Sequence, residues 1–226
     1  MALYVTADLH LGNANTVNKP MEIFGRLWEN HIERLTSNWC VKNEDTVVIA
    51  GDISWAMDFK QLAPDFEFID RLPGKKIILK GNHDYWWSTM SKLKEFAKPY
   101  TSISFLHNNS YEYENIGICG TRGWITEPGQ QADIKVLNRE VGRLKASLAS
   151  SKAKEKIVFL HYPPVFGNIE CKEITQVLAD NNIKSCYYGH LHGYAHRQAI
   201  HNEERNGTRF FLASADFTGF TPIKIF

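Results

Sequence analysis

The stretch Lys76-Ile77-Ile78-Leu79-Lys80-Gly81-Asn82-His83-Asp84 decides the fold. A short apolar run reads as a buried strand, and a glycine then turns the chain onto three side chains able to bind metal or move protons. The same grammar recurs along the sequence. Leu3–Ala7 leads into Asp8-Leu9-His10, and Thr46–Ala50 leads into Gly51-Asp52. Ile157–Leu160 leads into His161-Tyr162-Pro163-Pro164, and Ser185–Tyr188 into Gly189-His190-Leu191-His192. Apolar strands that end on polar side chains belong to α/β sheets, whose ligands collect beyond the carboxyl ends of the strands. Gly12, Gly51, Gly81 and Gly189 flank these points and allow sharp turns and close backbone approach.

Working outward, the periodicity predicts helices over Phe24–Cys40, Asp58–Leu72, Ser88–Ala97, Gln130–Ser150 and Glu170–Asp180, with Pro64 interrupting or restarting the second. The clearest has Ile134, Leu137, Val141, Leu144 and Leu148 on one stripe. Further strands are predicted over Ser102–Leu106, Tyr111–Tyr113, Ile116–Cys119, Tyr194–Ile200, Thr208–Ala213 and Pro222–Ile225, with Asn202–Gly207 joining Tyr194–Ile200 to Thr208–Ala213. Strands alternating with helices, then strands in series, imply two mixed sheets between helical layers. No internal repeat, linker or low-complexity tract divides the chain, so residues 1–226 are expected to form a single domain without a cap.

The donors suit a pair of divalent ions. Such ions sit roughly 3.5–4 Å apart and need a bridging anion with several neutral ligands. Asp52 stands alone after its strand and is the natural bridge, since a carboxylate has two oxygens. Asn82 offers a carbonyl, and His10, His161, His190 and His192 offer imidazoles, which suit Mn, Fe, Zn or Ni. Asp8 and His10, two apart on an extended segment, are expected to point the same way, as are His190 and His192. No cysteine falls in these segments, which argues against a thiolate site.

The ordered set D-x-H, G-D, G-N-H-D, H and G-H-x-H, spread over residues 8 to 192, resembles the calcineurin-like metallophosphoesterase superfamily. That resemblance implies a four-layer αββα sandwich. It implies that Asp8, His10, Asp52 and His192 hold one metal, that Asp52, Asn82, His161 and His190 hold the other, and that His83 is the catalytic histidine. The implied reaction is hydrolysis of a soluble phosphomonoester or phosphodiester by a metal-bridging hydroxide, with His83 protonating or stabilising the leaving oxygen. The protein Ser/Thr phosphatases of the superfamily carry D-R-G and G-N-H-E, where this chain has Asp52-Ile53-Ser54 and Gly81–Asp84. The lipid A precursor pyrophosphatases share D-L-H-L but carry Arg in place of His83. The nuclease branch usually adds a capping domain and a basic face. A small-molecule phosphate ester is therefore the expected substrate. The rivals are a nuclease on short single strands and a non-catalytic metal-binding scaffold.

Aromatics near these loops give the substrate reading. Trp55 and Trp86 are candidates to stack on a planar leaving group, against the alternative that they pack helices onto sheets. Arg122 is a candidate phosphate clamp, against a surface salt bridge. Asp84 is read as a cap for the following helix. His31, His107, His196 and His201 are read as structural or exposed.

Composition excludes other classes. With 26 basic and 25 acidic residues the net charge is +1, so charge gives no reason to expect a nucleic-acid partner. No apolar run approaches the roughly 20 residues of a membrane span. The N-terminus meets Asp8 too early for a secretory signal, and Cys40, Cys119, Cys171 and Cys186 read as buried, reduced thiols. A cytoplasmic location is expected.

Overall fold

Successive residues of the central strands feed different cores, and that alternation builds the layers. The computed structural model describes residues 1–13, 17–126 and 133–226. Its strands are Leu3–Thr6 (β1), Thr46–Ala50 (β2), Lys75–Leu79 (β3), Ile103–Phe105 (β4), Tyr111–Tyr113 (β5), Ile116–Thr121 (β6), Glu155–Leu160 (β7), Val165–Phe166 (β8), Ile169–Glu170 (β9), Ser185–Tyr188 (β10), Glu203–Arg205 (β11), Thr208–Leu212 (β12) and Ile223–Lys224 (β13). One sheet has the order β13-β1-β2-β3-β4, parallel except at its β13 edge. The other has the order β11-β12-β10-β7-β6-β5, parallel inside and antiparallel at both edges. The helices are His31–Ser37 (α1), Phe59–Arg71 (α2), Met90–Phe96 (α3), Ile134–Ser150 (α4) and Lys172–Asp180 (α5).

In β2 and β3, Val48, Ala50, Ile77 and Leu79 join Ile157, Phe159 and Tyr187 of the other sheet in a central core. Their neighbours Ile49 and Ile78 pack instead with Leu62 and Phe66 of α2 and Leu93 of α3. On the far side, Val158, Leu160, Cys186 and Tyr188 pack with Leu144 of α4 and Ile174 of α5. Among the described residues these three large apolar cores separate four layers, helix–sheet–sheet–helix, as the sequence led us to expect. Parallel strands covered on both faces read as near-continuous apolar runs for this reason. No helix among the described residues is long and apolar enough to cross a membrane.

The local corrections have local causes. The single helix expected over Phe24–Cys40 is two 3-10 turns, Met21–Phe24 and Arg26–Trp28, followed by α1. Gly25 and Asn30 take left-handed backbone, with φ of 111° and 52°, and break the helix at both points. The strand expected over Tyr194–Ile200 is a 3-10 turn, Gly193–Gln198. The hairpin forms later, β11 to β12, around Asn206 and Gly207, both with positive φ as a tight hairpin turn requires. The helix α2 runs through Pro64. The first residues of the helix expected over Gln130–Ser150, up to 132, lie outside the described residues; α4 starts at Ile134, where the Asp133 side chain accepts from Val136 N. Ile134 is exposed, off the apolar stripe. All four cysteines are free thiols, but Cys40 is exposed rather than buried.

Candidate metal centre

Five loops carry the donors, one after each of β1, β2, β3, β7 and β10. Four donor residues leave their strands in left-handed backbone: φ is 60° at Asp8, 46° at His10, 51° at Asp52 and 73° at His190. The extended geometry expected for Asp8 and His10 is therefore wrong. The chain coils at once, at a cost of roughly 1–2 kcal/mol per residue, and such strain gathers at functional sites. Backbone bonds hold it: Asp8 N donates to Gly51 O at 2.9 Å and His10 N to Asp52 O at 3.0 Å. Gly51 has φ of 90°, and a Cβ there would lie 2.6 Å from His161 Nδ1. Gly81 serves by close approach, since a Cβ would run into the Asp52 carboxylate.

The loops bring the expected donors together. Asp52 Oδ2 lies 3.8 Å from His10 Nε2 and 3.5 Å from His161 Nε2. His10 Nε2 and His192 Nε2 are 3.4 Å apart, and Asp8 Oδ1 is 3.9 Å from His192 Nε2. Asn82 Oδ1 lies 2.6 Å from His161 Nε2 and 3.0 Å from His190 Nδ1. Asp8 accepts from the backbone N of His190 at 2.9 Å, which ties the first loop to the last. Two sets of ligand atoms close enough to share an ion result, Asp8 with His10 and His192, and Asp8 with Asp52 and His161.

The electrostatics favour a cation. Asp8 and Asp52 are buried side by side. Burial, together with the Asp52 charge and against the pull of His192, raises the Asp8 carboxyl well above the usual range. Burial also outweighs the attraction of Asp52 and takes His10 down to about 3. His161 is likewise pushed far below its ordinary value by burial, so its ring is neutral. Its Nδ1 donates to Ala50 O at 3.0 Å, which fixes the tautomer and leaves a lone pair on Nε2 aimed at Asn82 Oδ1. Two lone pairs facing each other beside buried carboxylates are relieved by a divalent ion, so this donor set fits metal.

Two carboxylates support the site in ways the sequence did not announce. Asp84 is no helix cap; Thr89 caps α3. The Asp84 carboxylate is buried and accepts from four backbone groups, Gly81 N at 2.7 Å, Ile53 N at 2.8 Å, Asp52 N at 3.0 Å and Ser54 N at 3.3 Å, and from Trp86 Nε1 at 3.2 Å. It clamps the Asp52 loop to the Asn82 loop. Asp216, after β12, accepts from His192 Nδ1 at 2.9 Å and lies 3.3 Å from His196 Nε2. Burial disfavours a charged His192, but the Asp216 and Asp8 carboxylates prevail and raise it to about 9. His196, read as structural or exposed, thus belongs to a third close group with His192 and Asp216.

The remaining candidates divide. His83 is half-buried at the edge of the cluster, its ring 5.9 Å from that of His10, with Nδ1 3.2 Å from Tyr85 Oη. Its backbone N donates to Asp52 Oδ1 at 2.8 Å. Trp55 stacks on His10 at 4.9 Å and lies 4.5 Å from His83. Trp86 is not brought to the cleft: it is 3% exposed and packs on Phe66 in the helix-side core. Arg122 pairs with the buried Glu140 at 3.8 Å and lies over Trp124 and Tyr162. It is thus an ion-pair partner, though of a buried rather than a surface carboxylate.

The chain belongs to the calcineurin-like phosphoesterase family, whose profile matches residues 1–194. Among solved structures, the phosphopantetheinyl hydrolase of Mycobacterium tuberculosis is similar with a TM-score of 0.62 at 12% identity, over 99% of this chain and 95% of that one. A protein of unknown function from Aquifex aeolicus matches with a TM-score of 0.48 at 16% identity, over 99% of this chain and 95% of that one. At such identities the first likeness shows the fold alone. A search of curated proteins returns no significant match.

Proposed function

We propose that this chain is a single-domain, metal-dependent phosphohydrolase acting on a soluble phosphomonoester or phosphodiester. The observation that carries the reading is the position of Asp52, whose Oδ2 faces His10 on one side and His161 on the other. In this reading Asp8, His10, Asp52 and His192 hold one divalent ion, and Asp52, Asn82, His161 and His190 hold the second. The ions would supply Lewis acidity toward the phosphoryl oxygens and a water made nucleophilic at neutral pH. The chain supplies the rest. Asp84 and the strained loops fix the donors, and the Ala50 carbonyl orients His161. In this reading His83, outside the ligand set but beside it, protonates the leaving oxygen. Trp55 covers His10 and narrows the approach on that side. The hydrolase name of the Mycobacterium tuberculosis protein, which shares the fold, is in keeping with this assignment.

The test is a hydrolysis panel with Mn²⁺, Fe²⁺, Zn²⁺ or Ni²⁺ over phosphomonoesters, phosphodiesters, nucleotides and short single-stranded oligonucleotides. Hydrolysis of a small ester that chelation abolishes and added metal restores is the expected result. Activity confined to oligonucleotides would favour a nuclease. Stoichiometric metal binding with no hydrolysis would favour a scaffold.

A further inference from the structure

We infer that the leaving group of the substrate is a large, uncharged, apolar alcohol, seated in a cavity walled by the two 3-10 turns of residues 21–28. The inference rests on the phosphohydrolase reading. A cavity of about 330 Å³ opens directly from the metal centre, with His10, His83 and His192 on its inner side. Its floor is Met21, Trp28 and Trp55, and its rim is Phe24, Leu27 and Tyr194. The rim side chains are 58%, 46% and 85% exposed. Large apolar side chains gathered in the open beside a polar site mark a binding surface.

Chemistry narrows the occupant. Trp55 Nε1 is already committed to Met21 Sδ at 3.1 Å. The Asp216 carboxylate is engaged by His192, His196 and the backbone N of Gly193. Beyond these and the metal-centre histidines, the polar side-chain groups among the described lining residues are the Tyr194 hydroxyl and the Trp28 indole N–H. A sugar or a nucleobase edge seated here would bring more hydroxyls and amides than these two groups can pair, which is costly. An apolar group leaves nothing unpaired. A cavity of about 150 Å³ holds one benzene, so this one takes two fused rings or a branched chain of similar bulk. The orientation follows from His83, whose ring lies 4.5 Å from that of Trp55. An oxygen that His83 protonates has its carbon substituent against the Trp55 wall.

The test compares 2-naphthyl phosphate with phenyl phosphate, whose leaving oxygens differ little in acidity, on the metal-loaded protein. It also measures binding of free 2-naphthol by calorimetry. The naphthyl ester should exceed the phenyl ester in kcat/KM by about tenfold to a hundredfold, as the extra buried apolar area requires. Leu27→Asp should collapse that ratio and weaken 2-naphthol binding by about tenfold. Tyr194→Ala, at an exposed position, should lower both in the same direction, so the inference survives a folding failure of the first variant. Hydrolysis of both esters at equal efficiency, with no 2-naphthol binding, would overturn the inference and leave the phosphohydrolase reading standing. Binding of 2-naphthol that Leu27→Asp abolishes, in a protein that hydrolyses no ester, would support the cavity as an apolar site and overturn its link to hydrolysis.

Discussion

Replacing Asp84 with asparagine should loosen the loops that carry Asp52 and Asn82. One carboxylate oxygen accepts from Asp52 N and Gly81 N, and the other from Ile53 N, Ser54 N and Trp86 Nε1. An asparagine has a single carbonyl. Whichever way it turns, at least two buried N–H groups meet an amide NH₂ instead of an acceptor. Each such buried donor left unsatisfied costs about 1–3 kcal/mol, so Asp84→Asn should lose about 2–6 kcal/mol. Against a total of about 5–15 kcal/mol for a folded domain, that is a large share. At about 3 kcal/mol, the melting temperature of a chain this size falls by roughly 6–12 °C. Urea denaturation in the presence of a chelator separates this loss from any loss of metal, and metal analysis of the native variant then reads the site itself. Both stability and metal content should fall. An Asn variant within about 1 kcal/mol of the parent, with its metal intact, would refute the clamp.

Three further outcomes are expected. His83→Ala should keep its metal yet turn over about 10²–10⁴-fold more slowly, with the larger loss on alkyl esters than on p-nitrophenyl esters; equal losses would place His83 on the phosphoryl oxygens instead. Asp216→Asn should weaken metal binding at the His192 site by about 10–100-fold, since a carboxylate behind a ligand histidine orients it; a titration showing both sites unchanged would contradict that. Lys76 is buried, which lowers its ammonium from 10.5 to about 8 against the pull of Asp70. Between those values the unfolded chain holds the extra proton, so stability should rise with pH across that window and the slope should flatten in Lys76→Met. Urea midpoints taken from pH 7 to 10 measure it, and identical slopes in the two proteins would count against it.

The donors were legible because each stands just past an apolar run, and a parallel strand buried on both faces leaves no other reading for Val47–Ala50 or Ile77–Leu79. The layers follow from the same alternation. The turn after β1 was not legible, since polar-apolar-polar at Asp8-Leu9-His10 looks like a strand continuing; its left-handed backbone is set by bonds to the Asp52 loop, which is distant in sequence. Asp216 had a usable signal: an apolar strand followed by Ser214-Ala215-Asp216 repeats the grammar that exposes Asp52. Trp55 and Trp86 sit at like distances past their motifs, and only the packing of Trp86 on Phe66 separates cleft from core. The apolar wall over residues 21–28 was hidden by the helix expected over Phe24–Cys40, although Gly25 and Asn30 supply the breaks that undo it.

Metal stoichiometry tests the central claim most directly. Protein loaded with Mn²⁺ and freed of excess ion should carry close to two ions per chain. Asp52→Asn, which removes the charge shared between His10 and His161, should lose affinity at both sites together. A parent protein that saturates at one ion, or an Asp52→Asn variant that still holds two, would contradict a paired centre bridged by Asp52.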